Sequence, residues 1–213
     1  MENWECGHSQ FSIFNSQFYF CRMKIFDKKI ILASKSPRRS QLLAQAGFRF
    51  ELKTKEVEED YPDDLPADEV APFLAEKKAL ACADFLESDD EVLIASDCVV
   101  ILDDKIYGKP VDFQDAVRIL RELSGRVHQV MTGVCLLSKN KKQVFNEVAY
   151  VHMDTLSDEE IHFYVETYQP YDKAGAYAVQ EWIGLCKVLK IEGTNSNIMG
   201  LPMVSVYREL IAF

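Results

Sequence analysis

The chain has 213 residues, enough for one substantial domain with a real core, and its 48% hydrophobic and 27% charged content excludes an intrinsically disordered protein. The formal net charge of −10 argues against a nucleic-acid partner, so any polyanion must be met by a local basic cluster. No apolar run approaches the roughly 20 residues of a membrane span, so no membrane partner is expected either.

Residues 1–22 are rich in aromatic and polar side chains without a clear period, and they lack both a basic start and a continuous apolar stretch. They are expected to be an N-terminal extension, either poorly ordered or an ordered extra segment packed on the domain, ahead of one domain spanning 23–213. Lys29 to Ala33 is a β-branched apolar run and predicts a strand. Pro37 suits the first turn of a helix, Leu42, Leu43 and Ala46 follow at helical spacing, and Gly47 is a plausible C-cap. "FRFELKT" alternates as a half-buried strand, and "KEVEEDYPDDLP" is an acidic loop.

Asp68 to Leu86 predicts a helix with Asp68 as N-cap. Val92 to Leu102 predicts a buried strand interrupted by one acid, Asp97. "DDKIYGKP" is a turn and a short return. A helix over Phe113 to Leu123 places Ala116, Ile119, Leu120 and Leu123 on one face and closes at Gly125. "VHQVMTGVCLLS" and "QVFNEVAYVHMDTL" predict a strand pair joined at "KNKK", and Asp158 to Thr167 a helix. "AGAYAVQ" is a glycine-bearing segment, "GLCKVLKIEG" a strand and "MVSVYRELIAF" a closing helix. Hairpins and crossovers together imply an α/β domain with a mixed sheet.

Six cysteines lie far apart, with no CxxC pair and no Cys/His ligand spacing, which fits a reducing, cytoplasmic setting. There is no Walker A loop, GxGxxG or HExxH. At the strand–helix junction "ILASKSPRRSQLL", the helix N-terminus, Ser34, Ser36 and two guanidinium groups make an anion site. The same arginines also fit as solvated helix charges, one of them paired with an acid of the Glu58–Asp64 run. Asp97 inside an apolar strand reads as a metal ligand or general base, or as a structural acid. One of Glu56, Glu58 and Glu59 could join it on Mg²⁺, and the spacing does not choose among them. Lys109 sits in the rigid turn "GKP". Lys78 falls on the apolar helix face with Leu74 and Ala81, whereas Lys77 is the ordinary exposed lysine. His128 reads as a structural hydrogen-bonding residue, and His8, His152 and His162 show no partner.

"LASKSPRRSQLL", "ASDCVVI", "GKP", "LSGRVHQVMTGV", "PYDKAGAYAVQ" and "IEGTNSNIMGLP" follow one another in the order and spacing of the Maf family of nucleoside triphosphate pyrophosphatases. The chain resembles that family from about Ile30 to its C-terminus. The resemblance implies a Maf/inosine-triphosphatase-like α/β fold, with a mixed bent sheet, flanking helices and a deep cleft between two lobes, often in a homodimer. It implies cleavage of a nucleoside triphosphate to the monophosphate and pyrophosphate with a divalent cation, Mg²⁺ or Mn²⁺. A 7-methyl-GTP pyrophosphatase and a nucleotide-binding division regulator with little catalysis are the alternatives.

Carried over by position, the resemblance makes Asp97 the catalytic proton acceptor and matches Glu59 to the second Glu of the acidic loop; Asp97 and Glu59 are expected to hold the metal. Lys78 and Lys109 become the site lysines. Ser36, Arg38, Arg39, Asp172, Lys173 and Gln180 become substrate-binding residues, and Ser34 of the junction and Cys98 at a specificity position are expected to join them. Arg38 and Gln180 match the dTTP/UTP subfamily, and a Gln amide suits the imide edge of thymine or uracil. Cys98 departs from a family Thr linked to specificity, and Gln41 from a Glu on the helix surface.

Overall fold

The structure is a computed structural model that describes residues 24–213. The predicted extension, 1–22, lies outside the described residues. A 3₁₀ turn at Lys24–Asp27 leads into β1 (Lys29–Leu32), α1 (Pro37–Gln45), β2 (Phe50–Leu52), α2 (Ala67–Ala81), β3 (Glu91–Leu102) and β4 (Lys105–Tyr107). Then come α3 (Phe113–Leu123), β5 (Val127–Leu137), β6 (Lys142–Met153), α4 (Asp158–Tyr168), α5 (Trp182–Cys186), β7 (Val188–Glu192), α6 (Asn195–Ile198) and α7 (Met203–Ala212).

Among the described residues the strands form one seven-stranded mixed sheet in the order β2-β1-β3-β5-β6-β7, with β4 also on β3. β1 runs parallel to β2 and β3, and every other pairing is antiparallel. Helices flank both faces, because alternate residues of β1 and β3 point opposite ways. Ile30, Leu32, Val92 and Ile94 pack with Leu43 and the α7 residues Val206 and Leu210. Ile31, Leu93 and Ala95 pack with Ala75 and Ala79 of α2. A third cluster joins Val100 and Leu102 to α3 and α4 through Leu120, Ile161 and Tyr164. The predicted mixed α/β sheet with flanking helices is therefore what forms.

Local chemistry sets most element ends. Asp112 caps α3 by accepting from the Asp115 N–H, and Ser157 with Glu160 closes a full capping box on α4. Three expectations need correction. Helix α2 begins after Pro66, so Asp68 lies in its first turn, where an acid favours the helix dipole without capping it. It ends at Ala81, and a separate 3₁₀ turn, Ala83–Phe85, follows. The "GLCKVLKIEG" stretch is not all strand, since its first residues complete α5 and only Val188–Glu192 pairs with β6. The short α6 was not foreseen; four residues are too few for a periodic pattern to register.

One packing contact positions the site. Gly133 of β5 is the cross-strand partner of Asp97 in β3. A Cβ at Gly133 would stand 2.3 Å from the backbone of Ala71 and Pro72, so α2 rests directly on the strand there. Side chains opposite one another across a ladder share a face. Asp97 therefore points toward the helix that carries Lys78.

Candidate active site

Two strands share one edge of β3 and leave a gap between them. β1 pairs from Lys29↔Glu91 to Leu32↔Ile94, and β4 takes up the edge only at Val100. Between these pairings, Ser96–Val99 meets no strand on that edge among the described residues. A cleft of about 850 Å³ opens at this gap, beyond the C-terminal end of β1. Among the described residues, seven cations line it (Lys35, Arg38, Arg39, Lys55, Lys78, Lys109 and Lys173) against five carboxylates (Glu56, Glu58, Glu59, Asp97 and Asp172). The cleft is thus locally positive in a chain of net charge −10.

At its centre Lys78 Nζ donates to Asp97 Oδ1 at 2.6 Å and to Glu59 Oε1 at 2.9 Å. The side chains of Lys78 and Asp97 are only 16% and 11% exposed, so the pair is held in a partly dry setting. Lys109 Nζ grips both oxygens of Glu59, at 2.9 and 2.7 Å. Burial pushes the Glu59 carboxyl up, but the hydrogen bonds from Lys109 and Lys78 outweigh it and hold the group down at about 2. The acidic loop is fastened elsewhere by Lys35 to Glu56 at 2.7 Å and by Lys77 to Asp60 at 2.5 Å. Of the three candidate glutamates, Glu59 is the one joined to Asp97 through a shared ammonium.

The two arginines diverge, and neither pairs with the Glu58–Asp64 run. Arg39 donates from Nε to the Gly200 carbonyl at 2.8 Å and from a terminal nitrogen to Ser34 Oγ at 3.2 Å. Ser96 Oγ also donates to Gly200, at 3.1 Å. Burial lowers the pKa of Arg39, and the charge of Asp97 opposes that. Ser34 Oγ accepts from the Ser36 N–H, while the Ser36 side chain makes no cap, so it does not occupy the α1 N-terminus. Arg38 instead meets Asp172 at 3.0 Å, and Asp172 meets Lys173 at 2.8 Å. Asp172, expected among the substrate-binding groups, lines the cleft and bridges two cations.

The other end of the cleft is mostly apolar: Val100, Val130 and Tyr177 form one packed cluster with Cys98 and Ile198 against it, and Ala178, Met199 and Gln180 line the cleft as well. The Cys98 thiol lies against the Thr132 hydroxyl, which donates onward to the Asn197 carbonyl at 2.8 Å. Asn197 Nδ2 donates to the Val130 carbonyl at 3.0 Å. Behind Tyr177, its hydroxyl and His128 Nε2 are 2.7 Å apart, and His128 is 1% exposed. Burial pushes His128 down to about 4, so the ring is neutral near pH 7. The structural reading of His128 holds.

The twelve residues assigned to the site from the sequence all line this one cleft, as do Glu56 and Glu58, whereas His128 does not. Lys35, Lys55, Tyr177 and the Gly200 carbonyl line it too and were missed. The last carries a signal in hindsight, since Gly200 has φ +93 and an added Cβ would sit 3.1 Å from Arg39 Nε. Asp97 and Glu59 converge on a single ammonium, so a cation already stands where their oxygens meet. No cluster of three or more His, Cys, Asp or Glu gathers among the described residues. A donor set of two hard carboxylates fits Mg²⁺ or Mn²⁺ completed by phosphate oxygens better than a dedicated protein cage. Among the described residues no helix is long and apolar enough to cross a membrane.

Comparison with known proteins gives a consistent result. The family described as "Maf-like protein" matches residues 29–213. A dTTP/UTP pyrophosphatase of Porphyromonas gingivalis W83 is 46% identical over 187 residues, 87% of this chain and 94% of that one. A protein of the same name from Flavobacterium psychrophilum is 42% identical over 191 residues, 89% of this chain and 97% of its own length. Among solved structures, the Staphylococcus aureus Ham1 protein aligns with a TM-score of 0.43 and 15% identity, covering 59% of this chain and 72% of that one, a likeness too loose to argue from.

Proposed function

The chain belongs to the Maf family, and from that premise we propose that it is a nucleoside triphosphate pyrophosphatase acting on dTTP and UTP and on modified pyrimidine nucleotides of similar shape. The observation that carries this reading is the convergence of Asp97, Lys78, Glu59 and Lys109 at the cationic end of a cleft whose other end is apolar.

In this reading Asp97 orients a water beside the α phosphorus and takes its proton through Oδ1 or Oδ2. Lys78, now shared between two carboxylates, holds Asp97 in place and offers its ammonium to the phosphate oxygens. Lys109, Arg39 and Lys173 stabilise charge as it builds on the departing pyrophosphate. Asp97 and Glu59 would hold Mg²⁺ or Mn²⁺, which when bound supplies further charge neutralisation at the phosphates. The apolar end excludes water from a pyrimidine ring, and Gln180 offers both a donor and an acceptor to its imide edge. Arg38, paired with Asp172, belongs to the cationic end and adds its guanidinium to the phosphate grip. The setting inferred is a homodimer in the cytoplasm, supported by the habit of the family and the scattered thiols.

A panel of nucleoside triphosphates with Mg²⁺, read by pyrophosphate release, tests the proposal. The expected result is fastest turnover of dTTP and UTP with 7-methyl-GTP far behind. Preference for 7-methyl-GTP would move the chain to the other subfamily. Tight nucleotide binding without turnover would make it a regulator instead.

A further inference from the structure

We propose that Glu181 is a positioning residue for this reaction: it anchors Lys173 from outside the cleft and ties that lysine to the backbone bearing Gln180, coupling phosphate grip to base reading. The identity of the ligand rests on the function proposed above.

Lys173 is 8% exposed, and an ammonium so deeply placed needs fixed acceptors. It has two. Asp172 is the outer one, with a 60% exposed side chain already shared with Arg38. A triphosphate entering the cleft repels that carboxylate and competes for both its cations. Glu181 is the inner one, 3.4 Å from Lys173 Nζ and with a side chain only 20% exposed. It is not among the residues lining the cleft, so an arriving phosphate leaves it in place.

Glu181 is itself held on three sides. Its second oxygen accepts from the hydroxyl of Tyr164, a wholly buried residue of α4, and that hydroxyl oxygen accepts from the Ala178 N–H at 3.0 Å. Its N–H donates to the Ala178 carbonyl at 3.1 Å, and its carbonyl accepts from Leu185 N–H at 3.0 Å as α5 begins. Gly184 of α5 lies so close to Val179 that a Cβ would fall 1.8 Å from the Val179 carbonyl oxygen. Residues 178–181, Gln180 included, are thus clamped between α4 and α5, and the Glu181 carboxylate links that clamp to Lys173. A line of contacts runs Arg38–Asp172–Lys173–Glu181–Tyr164, from cleft to core.

The test is a double-mutant cycle of Glu181→Gln and Lys173→Met, with two readouts: the dTTP/dGTP ratio of kcat/KM, and the affinity for inorganic tripolyphosphate by calorimetry. Glu181→Gln keeps an acceptor for Tyr164 and should melt within a few degrees of the wild type. The expected result is a loss of about tenfold in the ratio and a shift of at least about threefold in tripolyphosphate affinity, both vanishing in the Lys173→Met background. Equal effects in both backgrounds, or none in either, overturn the proposal. If Glu181→Gln does not fold, Tyr164→Phe frees the same carboxylate without removing its charge and must show the same dependence on Lys173. Should the wild type hydrolyse no dTTP, the function proposed above falls, while the tripolyphosphate arm still decides the role of Glu181.

Discussion

The two ends of the cleft are built on opposite principles. At the cationic end nearly every side chain is held by a charge it shares: Lys78 by Asp97 and Glu59, Lys109 by Glu59, Arg38 and Lys173 by Asp172. At the apolar end the positions are set by buried neutral hydrogen bonds, His128 to Tyr177 and Thr132 to Asn197, behind a wall of Val100, Val130 and Ile198. Shared charges exchange partners when a polyanion arrives, whereas buried neutral bonds in a low-dielectric wall do not. The first end is thus suited to gripping a ligand that displaces its internal pairs, and the second to presenting a fixed shape.

Three changes test that contrast. Asp97→Asn strikes the charged end hardest: turnover should fall by about a thousandfold with little change in thermal midpoint, since Lys78 keeps Glu59. Wild-type rates in that variant, measured by pyrophosphate release, would remove Asp97 from the chemistry.

The neutral end should answer in stability. The folded pKa of His128, about 4, lies below its ordinary 6.5, because burial disfavours the imidazolium, with His152 a smaller contributor. The unfolded chain then takes up a proton between these values and the native one does not, so stability is full above pH 6.5 and drains as pH falls toward 4. The span corresponds to about 3 kcal/mol at most. Glu59 has the same sign but acts lower, between its ordinary 4.5 and about 2, so the interval from 6.5 to 4.5 reports chiefly on the histidine. Urea midpoints against pH should flatten there in His128→Gln; an unchanged slope would show the contrast misdrawn.

The smallest effect is expected for Cys98→Thr. A hydroxyl replaces a weakly hydrogen-bonding thiol against Thr132, so dTTP/UTP preference should shift by about threefold with kcat nearly constant. A large fall in kcat would mean the thiol position serves the charged end instead.

The same contrast explains what could be read from the residues in order. Asp97 interrupts an apolar run and Lys78 falls on an apolar helix face, so each is out of place unless paired, and each proved to be paired with the other. The mixed sheet was legible because hairpin turns and crossover helices have distinct spacings. Tyr177, Val130 and Ile198 were not legible, because an apolar residue lining a cleft has the same chemistry as one filling a core. The motif that holds Asp172 gives no sign of its ion-pair partners, which lie 134 residues upstream at Arg38 and next door at Lys173. Long-range pairing of that kind leaves no periodic trace. The short α5 and α6 escaped for the related reason that helices of four or five residues are set by tertiary contacts.

Gly133 carries no reactive group and does not line the cleft, yet it acts as a thickness gauge. The missing side chain sets how closely α2 may lie on β5, and through that height it sets the reach of Lys78 toward Asp97, the residue paired with Gly133 in the sheet. A single methyl there would lift the helix like a shim under a bearing, lengthening the 2.6 Å contact while leaving every charged residue in place. Tolerances in this site are therefore cut into its backbone as much as into its chemistry, and a variant could fall silent with all its catalytic side chains intact.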